Sequence, residues 1–436
     1  LVWRSSLVEL TFASKKLAPS ATLAMNELIA AKREKGEKIY HMGFGQSPFP
    51  VHRLVRKALC ENSWRQNYLS TQGILPLRQA VSEFYETIFH LDYAPEQIVV
   101  GPGSKPLMFA ALTVLDGVIF LPAPSWVSYQ HMARFLDREV YHLKTTSADS
   151  YRLTPDALAT SLKDHAPDKR KQKVLVLNYP CNPTGHCFSG EQLKELAEIA
   201  RDNSMLVLSD EIYALTHFRN QTHHSIAEFY PEGTLVTGGL SKDRSLGGYR
   251  LGVLLLPEGE RELLRTILAV ASEIWSSVAS PIQYAAIEAY RTDTGLIEYM
   301  RECAGVHELV TRYVFNRLQR AGVSCPYPQG GFYLFPDWND KKSALHRLDV
   351  KTSADLARYL LERYLVSSLP GSEFGMPPDD LCLRLATVDY DGQTALRRYH
   401  RYPEAACRKP DKFVEAVAPS IVEGCKRLEE FSRSLA

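Results

Sequence analysis

The chain has 436 residues, a formal net charge of +1, 45% apolar residues and 23% charged residues. That length suits two domains, or a large domain with a smaller companion, and the composition is that of a globular protein. The near-balanced charge argues against nucleic acid and anionic membrane surfaces as partners, and no apolar run reaches the length of a membrane span.

Residues 1–17 hold three basic residues, one acid and several serines. This is compatible with the remnant of a transit peptide, although a cropped N-terminus is the simpler expectation. Ser20 is placed to cap a helix over the following SATLAMNELIAAKREKGE. IYHMGFGQSPFP (39–50) reads as a short strand running into a Gly/Pro loop. Helix and strand then alternate: LRQAVSEFYETIF (77–89) helical, QIVVG (97–101) strand, KPLMFAALTVL (105–115) helical, GVIFLPAP (117–124) strand. KVLVLNYP (173–180) and MLVLSDEIY (205–213) are short, almost wholly apolar strands separated by the amphipathic GEQLKELAEIARDNS, and LVTGGLSK (235–242) is a further strand. Continuous apolar strands separated by helices predict a parallel sheet covered on both faces.

After about residue 300 helical charged segments surround a GGFYLFPDW strand (330–338) and an LCLRLATV strand (381–388). The expected fold is α/β: a large domain with a mainly parallel seven-stranded sheet over 49–298, and a smaller α+β domain from residues 299–436 and the N-terminal arm, 1–48. Residues 391–412, polar and broken by prolines, read as a surface insertion. The eight cysteines show no CxxC or metal-ligand spacing and read as reduced thiols of a cytosol-like compartment. A cytoplasmic location is therefore expected, with organellar import left open by the N-terminus. No metal site is expected, and the Asn220-Gln221-Thr222 sequon carries no weight without a secretory context.

In open α/β sheets ligands gather beyond the carboxyl ends of the strands. Three polar clusters fall there: Asn178–Gly185 (NYPCNPTG), Ser209–Tyr213 (SDEIY) and Ser241-Lys242. Singly each has a plain explanation: a turn, a helix cap, a solvated lysine. Together, with SKDRSLGGYRLG (241–252) carrying Arg250 eight residues after Lys242, they resemble the fold-type I pyridoxal-phosphate enzymes, specifically the class I/II aminotransferases. The resemblance runs from about residue 18 to residue 390.

The resemblance implies a pyridoxal 5'-phosphate cofactor and a role for each matching residue. Lys242 would bond to the cofactor aldehyde and move the substrate's Cα proton, a task for a lysine that can shed its charge. Asp210 would keep the pyridine nitrogen protonated, so that the ring acts as an electron sink. Asn182 and Tyr213 would donate to the phenolic oxygen, and Trp126, in APSWVSY, would stack on the ring. Arg250 would hold the phosphate, with Ser241 and with the strand-to-helix turn Gly101–Lys105, where Gly103, Ser104 and Lys105 offer a helix N-terminus. Tyr68, in NYLSTQGILPLR, would reach the phosphate of the neighbouring subunit, which implies a homodimer with shared sites. Arg384, in LCLRLATV, would clamp the substrate α-carboxylate with Asn182, and Gly45 would let the backbone touch the substrate. Gly239 departs from the pattern, which has a hydroxyl residue three positions before the lysine; one phosphate hydrogen bond is then missing or supplied elsewhere.

The implied reaction is amino-group transfer between an L-amino acid and a 2-oxo acid. A lyase, or a cyclisation like that of aminocyclopropane-carboxylate synthase, would use the same residues. A non-catalytic regulator of the same fold is the remaining reading. Such regulators carry a DNA-binding domain, for which the sequence offers no basic patch. Nothing in the sequence singles out the amino acid.

Overall fold

The structure, a computed structural model, describes residues 21–165, 170–292 and 295–435. Its main sheet has seven strands: β2 (Ile98–Gly101), β3 (Gly117–Ala123), β4 (Val140–Lys144), β5 (Gln172–Asn178), β6 (Met205–Asp210), β7 (Thr234–Gly239) and β8 (Gly252–Leu255). Their order is β2-β8-β7-β6-β5-β3-β4. β8 runs antiparallel to both of its neighbours, and the other pairings are parallel. The middle strands are buried along their length because both faces are covered. One face packs Val99, Val174 and Val176 against the helices Ser104–Val114 and Arg261–Ile274. The other packs Leu175 and Val207 against Gly190–Asp202. This two-sided burial explains why the strands read as unbroken apolar runs.

The register brings chemistry to one end of the sheet. Asn178 pairs with Asp210, and Asp210 with Thr237, so β5, β6 and β7 end nearly level. The polar residues that follow these strands therefore share a rim.

Past residue 295 the chain forms a 25-residue helix, Leu296–Arg320, and a small antiparallel sheet β11-β12-β9, made of β9 (Tyr333–Leu334), β11 (Leu369–Pro370) and β12 (Leu383–Ala386). The expected strands 330–338 and 381–388 are thus shorter, with Asp337 making only isolated bridges, to Ser324 and Cys382. β1 (Tyr40–His41) pairs in parallel with β10 (Val366–Ser367), which ties the N-terminal segment to this part of the chain. The helix Ala21–Glu34 precedes β1; its expected cap, Ser20, and residues 1–17 lie outside the described residues.

Residues 391–412 are not a surface insertion. They fold into the helices Gly392–Arg401 and Pro403–Arg408 and the start of Pro410–Val417. Ala395, Tyr399 and Ala406 are buried, and the Tyr399 ring lies where a side chain on Gly305 of the long helix would stand. The prolines do not break structure here: Pro403 and Pro410 each stand in the first turn of a new helix, where the missing N–H is not needed. Asp391 caps the first helix by accepting from the Thr394 amide at 2.6 Å.

Candidate active site

Beyond the ends of β5, β6 and β7 lies a cleft of about 770 Å³. It is lined by Gly45, Ser104, Lys105, Trp126, Asn182, Asp210, Tyr213, Ser241, Lys242, Arg250 and Arg384, so the structure brings together eleven of the residues singled out from the sequence. Gly103 stands beside them. Tyr68 does not line the cleft of its own chain and is 90% exposed.

Asn178, at the end of β5, holds the rim in place. Its side-chain amide donates to the Asp210 carbonyl at 2.8 Å, and its oxygen accepts from the Asn182 backbone at 2.8 Å. Asn182 then presents its oxygen to Arg384 Nη1 at 3.1 Å, which leaves its amide hydrogens for another acceptor. The Asp210 carboxylate accepts from Tyr129 Oη at 2.6 Å and from the Ile212 amide at 3.3 Å. Burial raises the Asp210 carboxyl to about 6, while the Tyr129 bond pulls it down. A buried carboxylate with this much unmet charge suits a cationic partner within the cleft.

Lys242 reaches across the cleft to donate to the Gly45 carbonyl at 2.9 Å. Its ammonium stands 5.6 Å from the Tyr213 ring centre and 5.7 Å from that of Phe332, and no carboxylate pairs with it among the described residues. Tyr213 Oη lies 3.0 Å from Tyr333 Oη.

Arg384 projects from β12 and is buried at 5% exposure. Nη2 donates to the Gly43 carbonyl at 2.6 Å, and the guanidinium lies 4.6 Å from the Tyr333 ring centre. Nε is buried with no partner, and among the described residues no carboxylate neutralises the charge. An unpaired buried guanidinium is costly unless something anionic joins it.

The opposite end of the cleft is built for an anion. The N-terminus of the helix Ser104–Val114 opens there, and Arg250 lies across it, with Nη1 on the Gly247 carbonyl at 2.9 Å and Nη2 on that of Pro102 at 3.1 Å. Gly103 adopts φ 103°, and a Cβ there would collide with the Arg250 guanidinium. Glycine is thus what permits the close approach. Lys105 sets its ammonium 4.7 Å from the Trp126 ring centre, and burial, then Arg250, then Lys242 depress its pKa. Amides at a helix N-terminus with crowded cations form a phosphate cradle. A phosphate at this end, a protonated ring nitrogen at Asp210 and an aldehyde within reach of Lys242 all match the groups present, so the residues fit pyridoxal phosphate.

Gly239 has a packing explanation. It pairs with Gly252 across β7 and β8, and a Cβ on it would lie 3.0 Å from the Gly252 Cα and the Leu251 carbonyl oxygen. The hydroxyl residue is absent where a side chain would press on the neighbouring strand and make it shift by a few tenths of an ångström.

Sequence reasoning missed Asn178, Tyr129 and Tyr333. Tyr129 follows Trp126 by one helical turn and shares its face of the helix Val127–Phe135, a spacing that could have found it. Tyr333 lies inside an apolar strand and carries no comparable signal.

The model of the family "Aminotransferase class I and II" matches residues 37–393. An aspartate aminotransferase of Geobacillus stearothermophilus is 31% identical over 399 residues, covering 89% of this chain and 97% of that protein. One of Pinus pinaster is 31% identical over 389 residues, covering 85% of this chain and 75% of that protein. The solved Thermus thermophilus aspartate aminotransferase with maleate superposes with a TM-score of 0.79 at 25% identity, over 91% of this chain and all of that one. The chain belongs to the class I and II aminotransferase family and is a pyridoxal-phosphate-dependent transaminase, which moves an amino group between an amino acid and an oxo acid.

Proposed function

We propose that Lys242, Asp210 and Tyr213 carry the chemistry of this transaminase and that Arg384 and Asn182 hold its substrate. Gly103, Ser104, Lys105, Ser241 and Arg250 hold the cofactor phosphate, and Trp126 covers the ring. The observation that carries this reading is the convergence on one cleft of an unpaired lysine, a buried carboxylate and an unpaired buried arginine. Pyridoxal phosphate, when bound, supplies the electron sink that stabilises negative charge at the substrate Cα.

The protein's own groups do the rest. Arg384 takes the α-carboxylate in two places through its planar fork and so fixes the amino acid's orientation. Asp210 would hold a proton on the ring nitrogen by its charge. Lys242, with its amine free, would be the base that takes the proton from the substrate Cα and returns it on the far side of the amino nitrogen, two atoms away. Gly45, whose carbonyl receives the Lys242 ammonium, keeps that amine at the substrate's side. The sheet rim and the helix N-terminus hold these groups on rigid elements, which removes orientational entropy from the step.

Aspartate is the proposed amino donor. Its curated relatives from Geobacillus, Bacillus subtilis and Pinus are named aspartate aminotransferases. The support is the relatives' names: the cleft cations Lys105 and Arg250, Lys242 and Arg384 are already assigned to the phosphate, the aldehyde and the α-carboxylate. A panel of donors with one fixed oxo-acid acceptor tests this: aspartate should lead in kcat/KM, and a lead for alanine or phenylalanine would reject it. An amino acid given without acceptor should be consumed once per site. Continued turnover would show elimination.

Three further readings complete the proposal. The working unit is a homodimer in which Tyr68 of the partner subunit completes the phosphate site; its 90% exposure, with Trp64 at 71% on the preceding turn, supports this. The location is cytoplasmic, which the eight free cysteines favour. The domains divide as 49–298 for the large unit, with 1–48 and 299–436 forming the smaller one.

A further inference from the structure

The cleft contains a buried hydroxyl for which the site residues above leave no task. Tyr333, on β9, is 2% exposed, and its hydroxyl meets two groups. Tyr213 Oη lies at 3.0 Å, and the Gly45 carbonyl oxygen at 3.4 Å. The ring of the same residue lies against the Arg384 guanidinium. A hydroxyl has one proton to give. Two chains of donation are therefore open. In one, Tyr213 donates to Tyr333 and Tyr333 to Gly45, which spends the Tyr213 proton inside the wall. In the other, Tyr333 donates to Tyr213 and leaves the Tyr213 proton pointing into the cleft. The 3.4 Å contact is the weaker of the two. The Gly45 oxygen is served by Lys242 at 2.9 Å only while that amine is free. The weaker contact favours the second chain.

We propose that Tyr333 is a positioning residue: by donating to Tyr213 it fixes the direction in which Tyr213 donates, and so sets how strongly Tyr213 holds the cofactor's phenolic oxygen. This rests on the reading of Tyr213 as a donor to that oxygen. Donors in series strengthen one another in a buried site, so the loss of the first weakens the second. Two observations give Tyr333 its place. A Cβ on Gly45 would run into the Tyr333 hydroxyl, so glycine there is what lets the hydroxyl stand between Gly45 and Tyr213. The Tyr333 ring packs edge-on against Tyr213, with centres 5.8 Å apart, which holds the two hydroxyls in register.

The test is a pH titration of the visible absorbance of the cofactor-loaded protein, which reports the proton on the lysine–cofactor linkage. A donor to the phenolic oxygen favours the deprotonated linkage, so its loss raises the midpoint. Tyr213→Phe should raise it by about one to two pH units, and Tyr333→Phe by about half a unit. In a Tyr213→Phe background, Tyr333→Phe should leave the midpoint where it is, because its effect passes through Tyr213. The KM for the amino donor should hold, since the phenylalanine ring still faces Arg384.

If Tyr213→Phe shifts the midpoint but Tyr333→Phe does not, the inference falls while the reading of Tyr213 stands. If Tyr213→Phe leaves the midpoint unmoved, both fall. A Tyr333→Phe shift that persists in the double variant, or a donor KM that rises with an unchanged spectrum, also overturns the inference. Should Tyr333→Phe fail to load cofactor, Gly45→Ala pushes the same hydroxyl aside and should raise the midpoint in the same direction; no rise would overturn the inference.

Discussion

Asp210 and Arg384 show how much charge the cleft stores. Burial raises the Asp210 carboxyl from 3.8 to about 6, so the folded protein binds that proton more tightly than the unfolded chain does. The charge then costs stability above pH 6, by an amount on the order of 2–3 kcal/mol at neutral pH, and the cost fades as pH falls from 6 towards 4. Cofactor-free Asp210→Asn should therefore melt higher than cofactor-free wild type at pH 7.5, and the gap should narrow below pH 6 and close near pH 4. Equal melting temperatures at both pH 7.5 and pH 4 would show that the carboxylate is not buried at a cost. Arg384→Lys keeps the charge but loses the fork. The donor KM should rise by a factor on the order of 100 for every amino acid, with the cofactor spectrum unchanged. A rise confined to one donor would mean that Arg384 reads side chains. Asp210, Tyr213 and Lys242 were legible in the sequence because each stands in a polar cluster directly after an apolar strand. Tyr129 and Tyr333 were not, since their work is done by hydroxyls on rings that also belong to the packing.

At the scale of elements, the pair β7–β8 sets what the phosphate end of the site can contain. Gly239 faces Gly252 across that pair, where a Cβ would press on the Gly252 Cα and the Leu251 carbonyl oxygen. Gly239→Ser should lower the stability of the cofactor-free protein by about 1–3 kcal/mol, read by thermal or denaturant unfolding, because the strands must part. It should bring no gain in cofactor retention on dialysis. A variant of unchanged stability that held cofactor more tightly would show that the gap is simply a lost donor. The parallel strands were readable because two-sided burial leaves nearly unbroken apolar runs. β8 was not identified, being four residues long and placed directly after a glycine-rich turn. β4 was missed for a different reason: VYHLK alternates and lies at the sheet edge, with only Leu143 buried. The segment after 391 was misread because proline was taken as a breaker, when Pro403 and Pro410 start helices.

For the whole molecule, the ends of the main sheet supply Lys242 and Asp210 and the helix Ser104–Val114 supplies its N-terminus, while β12 supplies Arg384 from the far side of the cleft. Tyr68 would be the contribution of a second copy. Tyr68→Phe should lose cofactor more readily on dialysis, by about 1–2 kcal/mol in affinity, with the fold intact. Mixing Tyr68→Phe with Lys242→Ala subunits tests the crossing. If Tyr68 serves its partner, each mixed dimer holds one site with both lesions and one wild-type site, so activity returns. If it serves its own subunit, no normal site forms and activity stays low. Both subunit-mixing arms depend on Lys242 as the residue bonded to the cofactor, and that is the claim to test first. Borohydride reduction of the cofactor-loaded protein followed by peptide mapping does so directly. The label should sit on Lys242 alone, and a label on Lys105, the other lysine of the cleft, would contradict the account.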